Sequence, residues 1–402
     1  MATVLAAFAA VSLGITLAAH AAVRRLLARR PAQPGPTPPV SVLKPLKGLD
    51  DGLYENLASF AAQAYPEFEL LFGTPDPDDP ALALVRLLEA AFPHVPMSVI
   101  VCDRRFGRNP KVSTLAALLV AARHEHVLIS DSNVRVGPDY LREAAAELAD
   151  PRVGLVTHLV AGTGERRAGA AFENAHLASF VAGGVAAAAL FARRPVVIGK
   201  SMLFRRADLE RAGGLRGVRH ILAEDYVLGR RFEAVGRRVV IARHVVCTVN
   251  ETWGVGRFVA RHVRWGQLRR RLAPAAYLGE PLLNPVLWLA ALLVAAAAGV
   301  PARPLGPEGL AAAALSGIAV KVASDAALVR RLRGVSVGPR YLALLPVKDL
   351  LWAGIWLVAA FRRHVEWRGT PLRIGPGSRL LPCHRSRRPA GPASARAAQA
   401  SR

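Results

Sequence analysis

Residues 2–23 form an unbroken apolar run that ends in Arg24, Arg25, Arg29 and Arg30. As a helix, such a run is roughly 30 Å long, the thickness of a bilayer's hydrocarbon core. A cleavable leader carries its positive charge before a shorter apolar core, so charge placed after the run reads as a retained anchor. Basic flanks stay on the cytoplasmic side, which puts the following residues there. The expected location is the inner membrane of a bacterium, with the globular part facing the cytoplasm. Residues 24–39 are basic and then Pro-rich, which ends the helix and makes a stiff linker.

Composition agrees with a membrane protein. Of 402 residues, 52% are hydrophobic, which excludes a disordered basic chain and is unusual for a soluble enzyme. The formal charge of +24 suits anionic lipid, nucleic acid or a phosphorylated ligand. Almost all of the excess is arginine in an alanine-rich chain, so codon bias accounts for part of it, and no nucleic-acid partner is predicted. Cys102, Cys247 and Cys383 are odd in number and far apart, which suggests neither a disulfide framework nor a zinc site.

Residues 40–271 alternate short β-type runs (40–43, 68–72, 99–102, 126–130, 153–160 and 239–242) with helical stretches such as 81–91 and 113–123. That pattern predicts an α/β domain with a parallel sheet covered by helices. In such sheets ligands bind beyond the carboxyl ends of the strands. Apolar character returns at 282–300, 309–329 and 341–361. The second run contains Lys321 and Asp325, and the third is broken by Pro346, Lys348 and Asp349. The region 282–361 therefore reads as two or three spans or re-entrant segments. If all three cross, the basic tail ends outside, against the positive-inside rule, so one is expected not to cross fully. Residues 362–402 read as a basic, disordered tail.

Three acidic spots fall where the sheet's ligand edge is expected in this acid-poor chain: Asp76-Pro77-Asp78-Asp79-Pro80 and Asp131-Ser132-Asn133, each after a strand, and Glu224-Asp225-Tyr226. Each alone is explained by turn and cap chemistry. Together they suit a nucleoside diphosphate with Mg²⁺ or Mn²⁺, because hard carboxylate oxygens hold the metal and the metal neutralises the departing diphosphate. Asp225 is the candidate for a base that takes a proton from an attacking hydroxyl. In Arg261-His262-Val263-Arg264-Trp265 the two arginines share a helix face, so they are suited either to phosphate or to anchoring at lipid headgroups. Lys44, Lys47 and Asn109-Pro110-Lys111 are weaker candidates, with solvated surface lysines as the plainer reading. No Walker A, dinucleotide-binding or nucleophile-elbow pattern is present, which disfavours nucleotide hydrolases, dehydrogenases and serine hydrolases.

In this order the motifs resemble the D, D, D, (Q/R)xxRW signature of family 2 and family 21 glycosyltransferases. Leu43-Lys44-Pro45-Leu46-Lys47-Gly48, the first aspartate cluster, Asn109-Pro110-Lys111, Ala223-Glu224-Asp225-Tyr226, Val263-Arg264-Trp265 and Trp367-Arg368-Gly369 resemble ceramide glucosyltransferases. Bacterial hopanoid-biosynthesis glycosyltransferases share much of the pattern. The resemblance implies a GT-A fold flanked by transmembrane helices, a UDP-sugar donor, a membrane-lipid hydroxyl as acceptor and inversion to a β-glycolipid. It also implies roles: Asp79, with Asp78 as the alternative, at the nucleotide; Asp131 at the metal and diphosphate; Asp225 as general base; Arg264 and Trp265 at the leaving diphosphate and acceptor. Lys44, Lys111, Arg261 and Glu224 are the remaining expected substrate-binding residues. Asp131-Ser132-Asn133 departs from the usual Asp-x-Asp and lacks its second carboxylate. Glucose transfer to ceramide is the expected reaction. The alternatives are N-acetylglucosamine transfer to a hopanoid polyol and a membrane-anchored basic scaffold that binds anionic lipid.

Overall fold

The computed structural model describes residues 1–33, 35–102, 104–301, 304–362, 364–367 and 370–382. Arg368 and Gly369 of the Trp-Arg-Gly element and residues 383–402 lie outside the described residues. The anchor is a single helix, α1 (Ala2–Leu27), with Arg24 and Arg25 in its last turn, where cations meet the helix's negative end. The α/β region begins with β1 (Val40–Pro45), α2 (Leu53–Ala61), β2 (Phe68–Thr74), α3 (Ala81–Ala91), β3 (Met97–Val101), α4 (Pro110–Ala121), β4 (His126–Ile129), β5 (Val134–Arg135), α5 (Tyr140–Leu148) and β6 (Val153–Thr163). It continues with α6 (Ala168–His176), a π-helical turn at Leu177–Val181, α7 (Ala182–Leu190), β7 (Met202–Arg205), α8 (Arg206–Arg211), α9 (Glu224–Ala234), β8 (Arg238–Val249) and α10 (Val255–Leu272). Then come α11 (Pro274–Gly279), α12 (Pro285–Ala297), α13 (Gly306–Arg333), α14 (Pro339–Leu342), α15 (Leu345–Phe361), β9 (His364–Trp367), β10 (Thr370–Ile374) and β11 (Leu380–Pro382).

The main sheet has eight strands in the order β3-β2-β1-β4-β7-β6-β8-β5. β1 to β4 are mutually parallel and β6 is parallel to β8; β7 is antiparallel to β4 and β6, and β5 to β8. The expected α/β sheet is present, with two antiparallel strands added. β7 and β5 are too short to show a period, and β8 is longer than its apolar run because Arg243 and His244 bulge out between Ala242 and Val245. Both faces of the sheet are covered. Val42, Leu70, Phe72 and Leu128 pack with α2, α3 and α5 on one face, while Leu43, Leu71, Val127 and Ile129 pack with α4 and α9 on the other. That burial on both faces is why the strands read as continuous apolar runs.

By length and composition α1, α13 and Pro339–Phe361 can each cross a membrane, and so can the pair Pro274–Leu283 and Pro285–Ala297, bent by 49°. α12 and α13 reach the far end of α1, where Leu289, Leu292, Leu310 and Ala314 pack with Ala2 and Ala9. The other end of α13 returns to the domain, where Arg333 pairs with Glu165 at 2.6 Å. α15 instead lies along α10: Ile355 and Ala359 pack with Phe258 and Val263, and Ala360 O accepts from Arg270. The next residues form a three-stranded antiparallel sheet against the same domain, with Leu372, Ile374 and Leu380 packed on Leu222. Domain and C-terminal sheet therefore pack together, while α12 and α13 pack with the far end of α1 and α15 packs along α10.

The disordered tail expected from residue 362 is corrected over 364–367 and 370–382, which form strands and a short 3-10 turn. The apolar Leu372, Ile374 and Leu380, spaced between arginines and prolines, find a partner surface only in the folded domain.

Candidate active site

The site lies beyond the carboxyl ends of β1 and β4, where neighbouring strands leave on opposite sides of β1. Asp131 follows β4. Its Oδ1 is 2.8 Å from Lys111 Nζ and its Oδ2 is 2.9 Å from Lys200 Nζ, and its side chain is 27% exposed, open to a ligand. Burial acts to raise the Asp131 carboxyl, but Lys111 and Lys200 outweigh it and hold it far below the usual carboxylate range. Burial likewise acts to lower Lys111, and Asp131, Glu224 and Asp225 overturn it, raising the ammonium above its ordinary value. For Lys200 burial wins over Asp131 and its pKa is lowered.

The Asn109-Pro110-Lys111 motif brings these groups together. Asn109 caps α4, its Oδ1 accepting from Val112 N at 3.0 Å, with Pro110 in the first turn. The Asn109 amide donates to Ile221 O at 2.7 Å and to Glu224 Oε2 at 3.3 Å, which joins the start of α4 to the start of α9. Lys111 then reaches Glu224 Oε1 at 3.1 Å. Burial and the neighbouring Asp225 raise the Glu224 carboxyl against the pull of Lys111. Asp225 is half-buried beside them, its Oδ2 accepting from Gly199 N at 2.6 Å and its Oδ1 from Tyr226 N at 2.8 Å. A Cβ on Gly199 would lie 2.9 Å from Asp225 Oδ2 and 3.2 Å from Lys111 Nζ, so the close approach requires glycine. From behind, the C-terminal sheet fixes the turn before α9, with Ser378 O accepting from Leu222 N at 2.9 Å.

Other predicted residues take supporting places. Lys44 is fully buried, not a surface group: its ammonium lies 3.2 Å over the Phe60 ring and donates to Asp131 O at 3.0 Å. Burial drives its pKa well below normal. The structure therefore puts Lys44 beneath the cleft, orienting the Asp131 loop. Asp79 is buried and accepts from Gly48 N at 2.9 Å, Thr74 Oγ1 at 3.2 Å and Ala81 N at 2.9 Å, fastening the loop after β1 to the end of β2. Gly48 meets it with φ +67°, a left-handed conformation that favours glycine. Asp78 is exposed and apart from this network, so the two neighbours have different surroundings.

Arg261, Arg264 and Trp265 lie on α10 as expected. Arg261 stacks 4.7 Å over Trp265 and pairs at 3.2 Å with Glu173, which also accepts from His262 at 2.8 Å. Burial acts to raise Glu173, but Arg261 and His262 bring it down to about 2. Glu173 and Lys200 are the residues that sequence reading missed. For Glu173 the available signal was a carboxylate inside an apolar helix. For Lys200 it was scarcity: the chain has six lysines among 53 basic residues. Lys44, Lys111 and Lys200 converge here, Lys47 adjoins Gly48, and Lys321 and Lys348 form a buried network with Asp325 and Asp349.

Among the described residues no three ligating side chains converge to cage a metal. A cation that arrives with a diphosphate needs only one or two protein carboxylates, the rest of its shell being phosphate and water. Asp131, a hard-oxygen donor open to the cleft, fits that single-carboxylate role.

A family model described as glycosyl transferase family 21 matches residues 4–380. The chain is 31% identical over 261 residues to ceramide glucosyltransferase 1 of Caenorhabditis elegans, covering 63% of this chain and 55% of that protein. It is 30% identical over 246 residues to ceramide glucosyltransferase 3 of the same organism, covering 61% and 53%. It thus spans about half the length of these curated relatives. A mannosyltransferase from Pyrobaculum calidifontis, solved with GDP-mannose and Mn²⁺, overlaps 89% of this chain and 97% of its own at 19% identity and a TM-score of 0.49.

Proposed function

The chain belongs to glycosyl transferase family 21, and from that premise we propose that it transfers glucose from UDP-glucose to the hydroxyl of a membrane lipid such as ceramide, with inversion at the anomeric carbon. The observation that carries this reading is the Asp225 carboxylate, held at 2.6 Å by Gly199 N beside the paired ammonium groups of Lys111 and Lys200.

The diphosphate of the donor lies against Lys111 and Lys200, exchanging contacts they now make with Asp131 and Glu224. Asp225 accepts the proton of the lipid hydroxyl as its oxygen attacks the anomeric carbon and the bond to the diphosphate breaks on the opposite face. Arg264 and Trp265 meet the departing diphosphate and the acceptor from α10. Arg261, tied to Glu173, stacks on Trp265 and sets the position of its ring. Asp131 would hold Mg²⁺ or Mn²⁺, which would supply positive charge against the leaving diphosphate. Asp79 and Lys44 shape the loops around the nucleotide rather than supplying free groups to it.

The donor is water-soluble and the acceptor lies in the leaflet, so the domain works at the membrane surface with α1, α12 and α13 embedded. We assign the domain to the cytoplasmic side on the basis of Arg24, Arg25, Arg29 and Arg30 after α1 and Arg330, Arg331 and Arg333 ending α13. The test is UDP release by the solubilised chain given UDP-glucose, Mg²⁺ and ceramide. Lipid-dependent release that Asp225→Asn abolishes while UDP-glucose still binds is the expected result. Absence of both UDP-sugar binding and release would refute the reading.

A further inference from the structure

The last turn of α10 and the C-terminal sheet enclose a cavity of about 520 Å³ that the proposed transfer leaves unused. Three arginines from two distant parts of the chain line it: Arg270 and Arg271 of α10, and Arg373 of β10. Ile374 and Leu381 add apolar wall, and among the described residues no acidic side chain lines the cavity. Arg269, one position earlier, has an acid of its own in Glu280, whereas Arg270 gives an N–H to a neutral acceptor, Ala360 O. Three guanidinium groups on one cavity repel one another, and a cleft lined by one sign of charge concentrates the opposite ion. Planar forks converging from two elements match the oxygens of a phosphate.

The cavity lies where the domain meets lipid. α10 ends at Leu272 and leads into the bent pair Pro274–Leu283 and Pro285–Ala297, which can cross a membrane. α15 ends at Phe361, the residue after the Ala360 that Arg270 holds. Val347, Leu350, Leu357, Val358 and Phe361 are exposed along one face of α15, while Trp352, Ile355 and Ala359 on the other are buried. Phe361 is 77% exposed, and Leu278 of α11 is 70% exposed. Bare apolar side chains beside arginines suit a surface at the level of the headgroups. A phosphate reaches this place from a lipid headgroup or from solution, and the apolar face beside it favours the lipid.

The hairpin that carries Arg373 also holds the turn before the proposed base. Ser378 O accepts from Leu222 N at 2.9 Å, and Leu380 N donates to His220 O at 2.7 Å. Leu222 is two residues before Glu224, where α9 begins. A ligand that bridges Arg373 to Arg270 and Arg271 therefore ties α10 to the turn that sets Asp225.

We propose that this cavity binds the phosphate of an anionic membrane lipid, and that the bound headgroup, by joining α10 to the C-terminal hairpin, steadies the turn before Asp225 and raises the rate of transfer. The lipid site stands without the glycosyltransferase reading; its effect on rate rests on that reading.

The test titrates the full chain in neutral detergent with phosphatidylglycerol carrying a fluorescent acyl chain, and with equally labelled phosphatidylcholine. Phosphatidylglycerol is expected to bind about tenfold tighter, and Arg373→Gln and Arg271→Gln each to weaken it about tenfold, with UDP affinity unchanged. Arg373 is exposed, so its replacement leaves the fold intact, and a thermal melt checks both variants. Arg331→Gln replaces an exposed arginine that ends α13 outside the cavity, and it is expected to bind like wild type. Wild-type affinity in both folded cavity variants, equal affinity for the two lipids, or an equal loss in Arg331→Gln overturns the site. Displacement by inorganic phosphate at the same concentrations as unlabelled phosphatidylglycerol overturns the lipid as its source, and a parallel fall in UDP affinity gives the cavity to the donor instead. In the transfer assay phosphatidylglycerol is expected to raise UDP release about fivefold in wild type and not in Arg373→Gln; bound lipid without that gain overturns the coupling. Phosphatidylglycerol binding in a chain that transfers no sugar overturns the glycosyltransferase reading and leaves the lipid site standing.

Discussion

Gly199→Ala perturbs the proposed base without altering any reacting group. The added Cβ would lie 2.9 Å from Asp225 Oδ2 and 3.2 Å from both Asp225 Cβ and Lys111 Nζ, where ordinary contact begins at 3.4 Å. Lys111 can yield along its flexible stem. Asp225 cannot, because its carboxylate is one bond from a Cβ that is itself too close and is pinned by Gly199 N and Tyr226 N. The carboxylate must retreat by about 0.5 Å. Since misplacement of about 1 Å costs roughly a hundredfold in rate, about tenfold in kcat is expected, or about 1.4 kcal/mol of barrier. KM for the donor should change less than about threefold. Overpacking of this kind also costs about 1–3 kcal/mol of stability, so a thermal melt accompanies the kinetics. Gly256→Ala is the control, since its Cβ meets nothing within 4 Å. The assay is UDP release at saturating lipid. Wild-type kcat in folded Gly199→Ala would refute the claim that Asp225 must stay where Gly199 holds it.

Three further outcomes follow from the same geometry. Lys200→Met leaves one oxygen of Asp131 without its cation, and donor affinity measured by UDP-glucose titration should fall about tenfold or more. EDTA should stop transfer and Mg²⁺ or Mn²⁺ restore it; full activity in chelator would mean that Lys111 and Lys200 carry the diphosphate charge without a metal. Glu173, brought from its ordinary 4.5 to about 2, contributes about 3 kcal/mol that is fully present above about pH 4.5 and is lost as pH falls toward 2. The stability difference between wild type and Glu173→Gln in denaturant should therefore be constant near neutrality and shrink in acid; a difference independent of pH would dismiss the ion pair as its cause.

Much of the site could be read from the sequence because its motifs are local. Asn109-Pro110-Lys111 is a helix cap and its first turn, Asp131 ends a strand, and Glu224-Asp225 begins a helix, so each leaves a mark within a few residues. Lys44 and Asp79 were found for the same reason, yet their surroundings were not, because the sequence does not say whether a strand-end side chain turns into the cleft or under it. Glu173 and Lys200 escaped notice because their partners are distant in the chain: Arg261 is 88 positions from Glu173, and Asp131 is 69 from Lys200.

The sequence by itself determined the continuous apolar runs that make a two-sided α/β sheet, the apolar N-terminal helix, and the carboxylates available at strand ends, since these depend on solvation and on contacts between near neighbours. Only the tertiary structure decided that α15 lies along the domain, that residues 364–367 and 370–382 pack as a sheet behind Asp225, and that two lysines share Asp131. The physical reason is that an apolar helix can face lipid or protein at similar cost, and a short strand or an ammonium group acquires its role only from the surface it meets.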